Sequence, residues 1–385
     1  MIAEPISPDT LERIETIELV SLRVVDCGPL KDDLILFGPP NGQARPVTIL
    51  AGANGSGKTT VLEIIAALWQ LLEPDDAPIP GILARTGYAQ TDLRIDGIPF
   101  SICYGVRPAD ADVAAESMSV GPLDRPALGT PKALRAPKTV AVTNPGAVVR
   151  GLKGGATQVA PKQGLSRASQ SQVANRLLHL IAEQQRLPLP FAPYLADSAP
   201  HEEPWLPSLL YFPHYRVLLP TAGTRVVKED TQYRWLHRYK TVGSFSGSLD
   251  SYLVWLEYAE PEVYEQARAF LDSLNLGGKR FSIERRSLRA VVTTPDGHRH
   301  GLDLLSSGEQ NILVMMLELV RRLTPHSIVM IDEIENSLHR AYQHFIAERL
   351  LWLQKQVPFQ LIVTTHSTAF LETFGSDSTL ILTEF

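Results

Sequence analysis

Residues 51–65 read AGANGSGKTTVLEII, and the rest of the chain is read outward from them. Gly52 to Thr59 fits G-x-x-x-x-G-K-[ST], a pattern in which glycines let backbone N–H groups turn inward around a phosphate while the next helix adds the partial positive charge of its N-terminus. PVTILAG leads in as an apolar strand, and TTVLEIIAALWQLL follows with apolar residues on nearly every face, as suits a helix buried between a sheet and other layers. Strand, glycine loop and helix in this order predict a nucleotide held by Asn54, Gly55, Ser56, Gly57, Lys58, Thr59 and Thr60. Lys58 is placed to reach the β and γ phosphates, and Thr59 to offer its hydroxyl to Mg²⁺.

On the N-terminal side, ETIELVSLRVVD (15–26) and LILF (34–37) predict strands. After the helix, TDLRIDGIPFSICYGV (91–106) predicts a hairpin, with Asp96-Gly97 as the tight turn. The character then changes: residues 121–165 hold six prolines and seven glycines, and no acidic residue lies between Asp124 and Glu183, where nine arginines and lysines do. With a formal net charge of −6 for the whole chain, everything outside that run sums to −15. A basic, loop-rich island on an acidic protein is either a solvated surface insertion or a contact for a polyanion such as the DNA backbone. Aromatic residues that could stack on bases are absent from 125–182, so no sequence readout is implied.

Order resumes at SLLYFPHYR, with an apolar strand over about 208–212, and at 248–276, helical with a break near Pro261. Residues 281–305 predict strands folded over a Pro295-Asp296-Gly297 turn, with His298 and His300 beside it and no further metal ligand near. LLSSGEQN (304–311) is an N-cap box ahead of an apolar helix. In SIVMIDEIENS (327–337) four apolar residues precede Asp332 and Glu333, so a buried strand presents two carboxylates at the sheet edge where α/β folds bind ligands. Asp332 can serve a Mg²⁺ shell and Glu333 can orient and deprotonate water; the same pair can also act as capping charges for the next helix.

GANGSGKTT, LSSGEQ, MIDEIENSLH and TTHS occur in the order found in the ATP-binding-cassette ATPases, which the chain resembles over residues 15–105 and 205–385. The resemblance implies ATP with Mg²⁺ as cofactors and a pair of copies that sandwich two nucleotides. In that pair Ser306, Ser307, Gly308 and Glu309 of one copy face the γ phosphate bound by the other. It further implies that Glu335 to Leu338 cross the dimer interface and that His366 contacts the γ phosphate. Arg23 sits where this family often places a residue near the base, and Pro213 and His214, or else Gln90, where its Q-loop would lie. The 248 residues from Lys58 to Ser306 exceed what a transporter motor uses, and the chain is more similar to RecF, SMC and the overcoming-lysogenization-defect ATPases. An end 19 residues after His366 leaves no room for the TOPRIM nuclease of the last group, a pattern that resembles the ATPase components of antiphage systems such as PARIS and Septu.

The expected fold is therefore α/β: a cassette-ATPase head with a mixed central sheet, an antiparallel patch, a helical signature lobe and the basic insertion. Expected boundaries are 1–108 for the first part of the core, 109–203 for the insertion, 204–300 for the Q-loop-like strand and helical lobe, and 301–385 for the remaining motifs. The expected activity is ATP hydrolysis that controls a separate nuclease or toxin, the alternative being a DNA-repair clamp. Two distant cysteines, Cys27 and Cys103, predict neither disulfide nor zinc site, and an N-terminus without a basic start and apolar run predicts a cytoplasmic protein.

Overall fold

A computed structural model describes residues 13–38, 44–73, 80–120, 148–149, 172–189, 206–216, 218, 226, 231–239, 249–375 and 378–381. Leu19, Leu22 and Val24 turn inward from β1 (Ile17–Cys27), which pairs antiparallel with β2 (Leu30–Leu36) and with β4 (Tyr88–Ile95). β4 continues into β5 (Ile98–Gly105) through Asp96 and Gly97, whose φ of 46° and 82° suit the predicted tight turn. β6 (Glu116–Val120) and β7 (Val148–Val149) then add in parallel, so this sheet mixes strand directions.

The second six-stranded sheet runs in the order β15 (Thr379–Ile381), β3 (Val47–Ala51), β14 (Phe359–Thr364), β13 (Ser327–Ile331), β8 (Leu209–Phe212), β9 (Leu236–Arg238). The fold is thus α/β with helices, as the sequence predicts. The mixture of strand directions falls in the N-terminal sheet, whereas the pairings of the central sheet are parallel among the described strands. Every residue of β13 and β14 is buried, because a parallel sheet is covered on both faces and its strands become continuous apolar runs.

The covers differ. Between the two sheets lies α1 (Lys58–Gln70), whose Val61, Ile64, Ile65 and Leu68 are inaccessible to solvent. Trp69 at its end stacks on Trp235 at 5.1 Å, and the Trp235 indole donates to the Trp69 carbonyl at 3.1 Å. α2 (Gln172–Gln184) presents Val173, Leu177 and Ile181 to the same core, at helical spacing. The sheets are also stitched directly: the Gln360 amide of β14 accepts from the Leu19 N–H at 2.8 Å and donates to the Leu19 carbonyl at 2.9 Å, beside a register shift in β1.

The opposite face of the central sheet packs on α3 (Leu249–Ala259), α4 (Pro261–Ser273), α5 (Ser307–Arg322) and α6 (Arg340–Gln356), with a small antiparallel sheet of β10 (Arg280–Glu284), β11 (Arg289–Thr293) and β12 (Arg299–Gly301). Pro261 stands at the first turn of α4, where its missing N–H costs nothing, and this sets the predicted break. α7 (Thr368–Phe374) follows β14. Within this layer α5 buries Glu318, held by Arg321 at 2.6 Å and Arg322 at 2.8 Å, with the Arg321 guanidinium 3.8 Å from the Tyr252 ring centre.

Cys27 and Cys103 are both buried and no disulfide joins them. No helix among the described residues is long and apolar enough to cross a membrane. Most of the basic run, 125–147 and 150–171, and with it the predicted DNA contact, lies outside the described residues.

Candidate functional site

The glycine loop needs its glycines for conformation. Gly55 and Gly57 have φ of 84° and 92°, a region that a side chain strains, and a Cβ on Gly57 would come within 3.1 Å of Leu30 Cδ2 and Pro29 Cγ. Gly57 is also the N-cap of α1 and brings no capping side chain, so the first N–H groups of that helix are left open for an external acceptor. Ser56 Oγ is buried beside them without a protein partner among the described residues. Lys58 Nζ donates back to the carbonyls of Gly52 (2.8 Å) and Ala53 (2.7 Å). Burial pushes the Lys58 ammonium below its usual range, opposed by the nearby carboxylates Glu333, Asp332 and Glu335.

Those carboxylates all follow the C-terminal end of β13, the edge at which α/β sheets place ligand-binding groups. Asp332 follows β13 and is wholly buried. Its carboxylate accepts from Thr59 Oγ1 at 2.9 and 3.1 Å and from Thr364 Oγ1 at 2.6 Å. The Thr364 hydroxyl in turn accepts the Glu333 N–H at 2.7 Å, and the His366 N–H donates to Glu335 Oε1 at 2.6 Å, so the ends of β13 and β14 are tied together. Glu333 has φ of 44°, strained for a residue with a long side chain and kept there only by surrounding bonds.

The main one of those bonds comes from Arg216, which sequence reasoning passes over. Its guanidinium is buried and donates to the carbonyls of Pro213 (2.8 Å), Asp332 (2.7 Å) and Glu333 (2.9 Å), while Nε donates to Asn311 Oδ1 at 2.7 Å. Burial lowers its pKa to about 10, against the pull of Asp332, Glu335 and Glu333, so it stays charged at neutral pH. The Asn311 amide donates to the Asn336 carbonyl at 2.6 Å, and the Asn336 amide to the His214 carbonyl at 2.7 Å. The available signal was an arginine four residues beyond a fully apolar strand, at Phe212; periodicity gives it no weight.

Ser306 to Glu309 form the predicted capping box: the Glu309 N–H donates to Ser306 Oγ at 3.4 Å and the Ser306 N–H to Glu309 Oε2 at 3.1 Å, with Lys279 holding Glu309 at 2.6 Å. This turn lies against the segment after Glu335: a Cβ on Gly308 would fall 2.5 Å from the Ser337 carbonyl oxygen. Among the described residues no hydrogen bond of Ser306–Glu309 reaches the glycine loop. Arg23 stands apart on β1, bound to Asp32 and Asp110 at 3.0 Å each. Gln90 is likewise engaged within the N-terminal sheet, with Tyr88, Asp92 and the Asp112 carbonyl.

As a metal centre the arrangement is sparse, since no group of three or more His, Cys, Asp and Glu among the described residues could hold an ion unaided. A hydroxyl and a carboxylate, Thr59 and Asp332, are what Mg²⁺ takes from a protein when substrate phosphates and water supply the other positions.

Residues 229–372 match the family model described as "AAA domain, putative AbiEii toxin, Type IV TA system". A curated relative, "Retron Ec83 probable ATPase" of Escherichia coli, is 39% identical over 89 residues, which cover 20% of this chain and 16% of that protein. The SMC head domain from Thermotoga maritima aligns over 92% of both chains at 14% identity with a TM-score of 0.41. An SmcHead bound to the C-winged helix domain of ScpA aligns over 93% of this chain and 92% of its own at 13% identity, TM-score 0.42. Over residues 229–372, a span that includes Ser306–Glu309, Asp332–Leu338 and His366, the chain is similar to the AAA family so described.

Proposed function

We propose that the chain binds ATP with a divalent cation at the glycine loop and hydrolyses it, using two copies paired head to tail. The observation that carries this reading is the 2.9 Å hydrogen bond between Thr59 and Asp332, which brings two motifs 273 residues apart onto one spot beside Lys58. In this reading the loop N–H groups and Lys58 hold the triphosphate, and Thr59 and Asp332 hold the cation. The cation, when bound, neutralises charge on the phosphate oxygens. Glu333 orients and deprotonates water, and His366 faces the γ phosphate. Ser306, Ser307, Gly308 and Glu309 meet the nucleotide of the partner copy, and the capped N-terminus of α5, with its dipole and open N–H groups, suits that task.

The similarity to a retron ATPase and to a family described with a toxin–antitoxin system supports a further step: hydrolysis governs a separate effector, a nuclease or toxin, in antiphage defence. Glu333→Gln tests the core of the reading. It should bind ATP as the wild type does and lose at least about 100-fold in turnover, the contribution of a general base. Wild-type turnover in that variant would remove Glu333 from its role. The same variant, purified with ATP from its native cell after nuclease treatment, should carry the effector in stoichiometric amount. The nine basic residues between Asp124 and Glu183 favour a second reading, a DNA-repair clamp, which predicts DNA-stimulated turnover that fades with salt.

A further inference from the structure

The face of the N-terminal sheet turned away from α1 holds a cavity of about 620 Å³, a size that suits a small molecule. Strand alternation builds it: Leu22, Val24, Leu93 and Ile95 enter the core with α1, so Arg23, Asp92 and Arg94 face the other way. Asp92, half-buried, lines the cavity. Its Oδ1 accepts from Gln90 Nε2 and Ser101 Oγ, both at 2.7 Å, and its Oδ2 from Ser21 Oγ at 2.5 Å. All three donors are buried and neutral, and Oδ2 takes one hydrogen bond where a carboxylate oxygen has room for two. Among the described residues Asp92 makes no ion pair, although two arginines share its face. Arg23 is bound instead to Asp32 and Asp110, at 3.0 Å each, and Arg94 to Glu18 at 2.9 Å. The covering loop is fixed in place, since Gln90 Nε2 donates to the Asp112 carbonyl at 2.6 Å and the Ala114 N–H to Ser101 Oγ at 3.0 Å. Asp112 is exposed at the rim, and Leu34, 61% exposed, gives the cavity an apolar side with Leu36. Counting the ion-pair partners, five carboxylates meet two guanidiniums, a local charge of −3.

We propose that this cavity binds an organic cation, an ammonium or guanidinium carried on an aliphatic stem. The charged head donates to Asp92 Oδ2, the stem lies along Leu34 and Leu36, and a second amine, where there is one, meets Asp112 at the rim. A carboxylate held half-buried without a counter-charge is costly, and a cationic ligand removes that cost. The same local charge rejects phosphates and carboxylates. The chemistry is shared by free diamines and by the basic side chain of a partner protein. No residue of this cavity belongs to the glycine loop or to the segment after β13, so the inference stands apart from the nucleotide reading.

The test is methyl NMR on the full chain labelled with ¹³C at leucine methyls, with Leu34 and Leu36 assigned through Leu34→Ile and Leu36→Ile. Three probes are titrated: agmatine, which carries a guanidinium and an amine; a blocked Gly-Arg-Gly tripeptide; and butylurea, a neutral isostere of an alkylguanidinium. Agmatine or the tripeptide should shift both leucine signals saturably and bind at least about tenfold more tightly than butylurea. Asp92→Asn should weaken that binding at least about tenfold, the scale of a lost charged hydrogen bond. Should Asp92→Asn fail to fold, Asp112→Asn keeps the backbone carbonyl that Gln90 holds and should still weaken agmatine severalfold, as a rim ion pair does. Tighter binding of agmatine than of the tripeptide would support a free diamine as the ligand, and the reverse order a basic side chain of a partner. Butylurea binding as well as the cations, undiminished affinity in folded Asp92→Asn, or no saturable shift with any probe at millimolar concentration would overturn the proposal.

Discussion

Arg216 shows how much one buried side chain can organise. Four carbonyls, those of Phe212, Pro213, Asp332 and the strained Glu333, accept from it together with the Asn311 amide oxygen. Arg216→Met keeps most of the volume and removes the donors, leaving buried carbonyls unsatisfied at about 1–3 kcal/mol each. The urea midpoint should fall accordingly, and turnover should fall further than the lost stability explains, because Glu333 is released from its φ of 44°. Glu318 supports a second prediction at this scale. Burial opposes its charge, but Arg321 and Arg322 outweigh that and hold the carboxyl at about 2, below the ordinary 4.5. Burial, with Arg322 beside it, pushes His237 well below its usual range, so the imidazole is neutral and the arginines are the partners that count. A carboxyl depressed in the folded state contributes its stability above the unfolded value and loses it as pH falls through the folded one. Roughly 3 kcal/mol should therefore disappear between pH 4.5 and 2. Urea titrations across that window should show a slope that Glu318→Gln flattens.

At the scale of elements, α5 is held by its first turn. Ser306 and Glu309 close the capping box, and Gly308 lets the helix touch the Ser337 carbonyl, where a Cβ would sit at 2.5 Å. Gly308→Ala should therefore pull α5 and the 336–338 segment apart, at a cost of about 1–3 kcal/mol, typical of overpacking. Faster amide exchange in residues 336–338, with the rest of the protein unchanged, is the expected readout. The elements around the glycine loop are legible in the sequence because each carries a local cause: glycines for the turn, Asp96-Gly97 for the hairpin, Pro261 for the helix break, Ser306 for the cap. Motifs with fixed spacing place Thr59, Asp332 and Glu333 in one locality for the same reason. Arg216, Asn311 and the Gln360 amide escape such reading, since their partners lie far along the chain and each would look ordinary on its own strand or helix. The inward face of α2 is intermediate: its period is plain, but it sits at the end of a basic, proline-rich stretch that hides it.

For the molecule as a whole, the central sheet decides when the site can exist. β3 carries the glycine loop and lies between β14 and β15, so both of its neighbours come from the far end of the chain. Ala51 ends β3 and Phe359 begins β14, 308 positions later. On the ribosome, at about 5–20 residues per second, the loop strand waits roughly 15–60 s with both edges unpaired. During that interval it is a template for any strand that passes, which is the situation chaperones relieve. Nascent chains stalled before residue 359 should be cleaved readily near the glycine loop by a probe protease, and released chains should resist. Birth order thus runs opposite to spatial order: the strand that carries the glycine loop is made early in this stretch yet gains its edges only after β14, 308 positions on, has emerged.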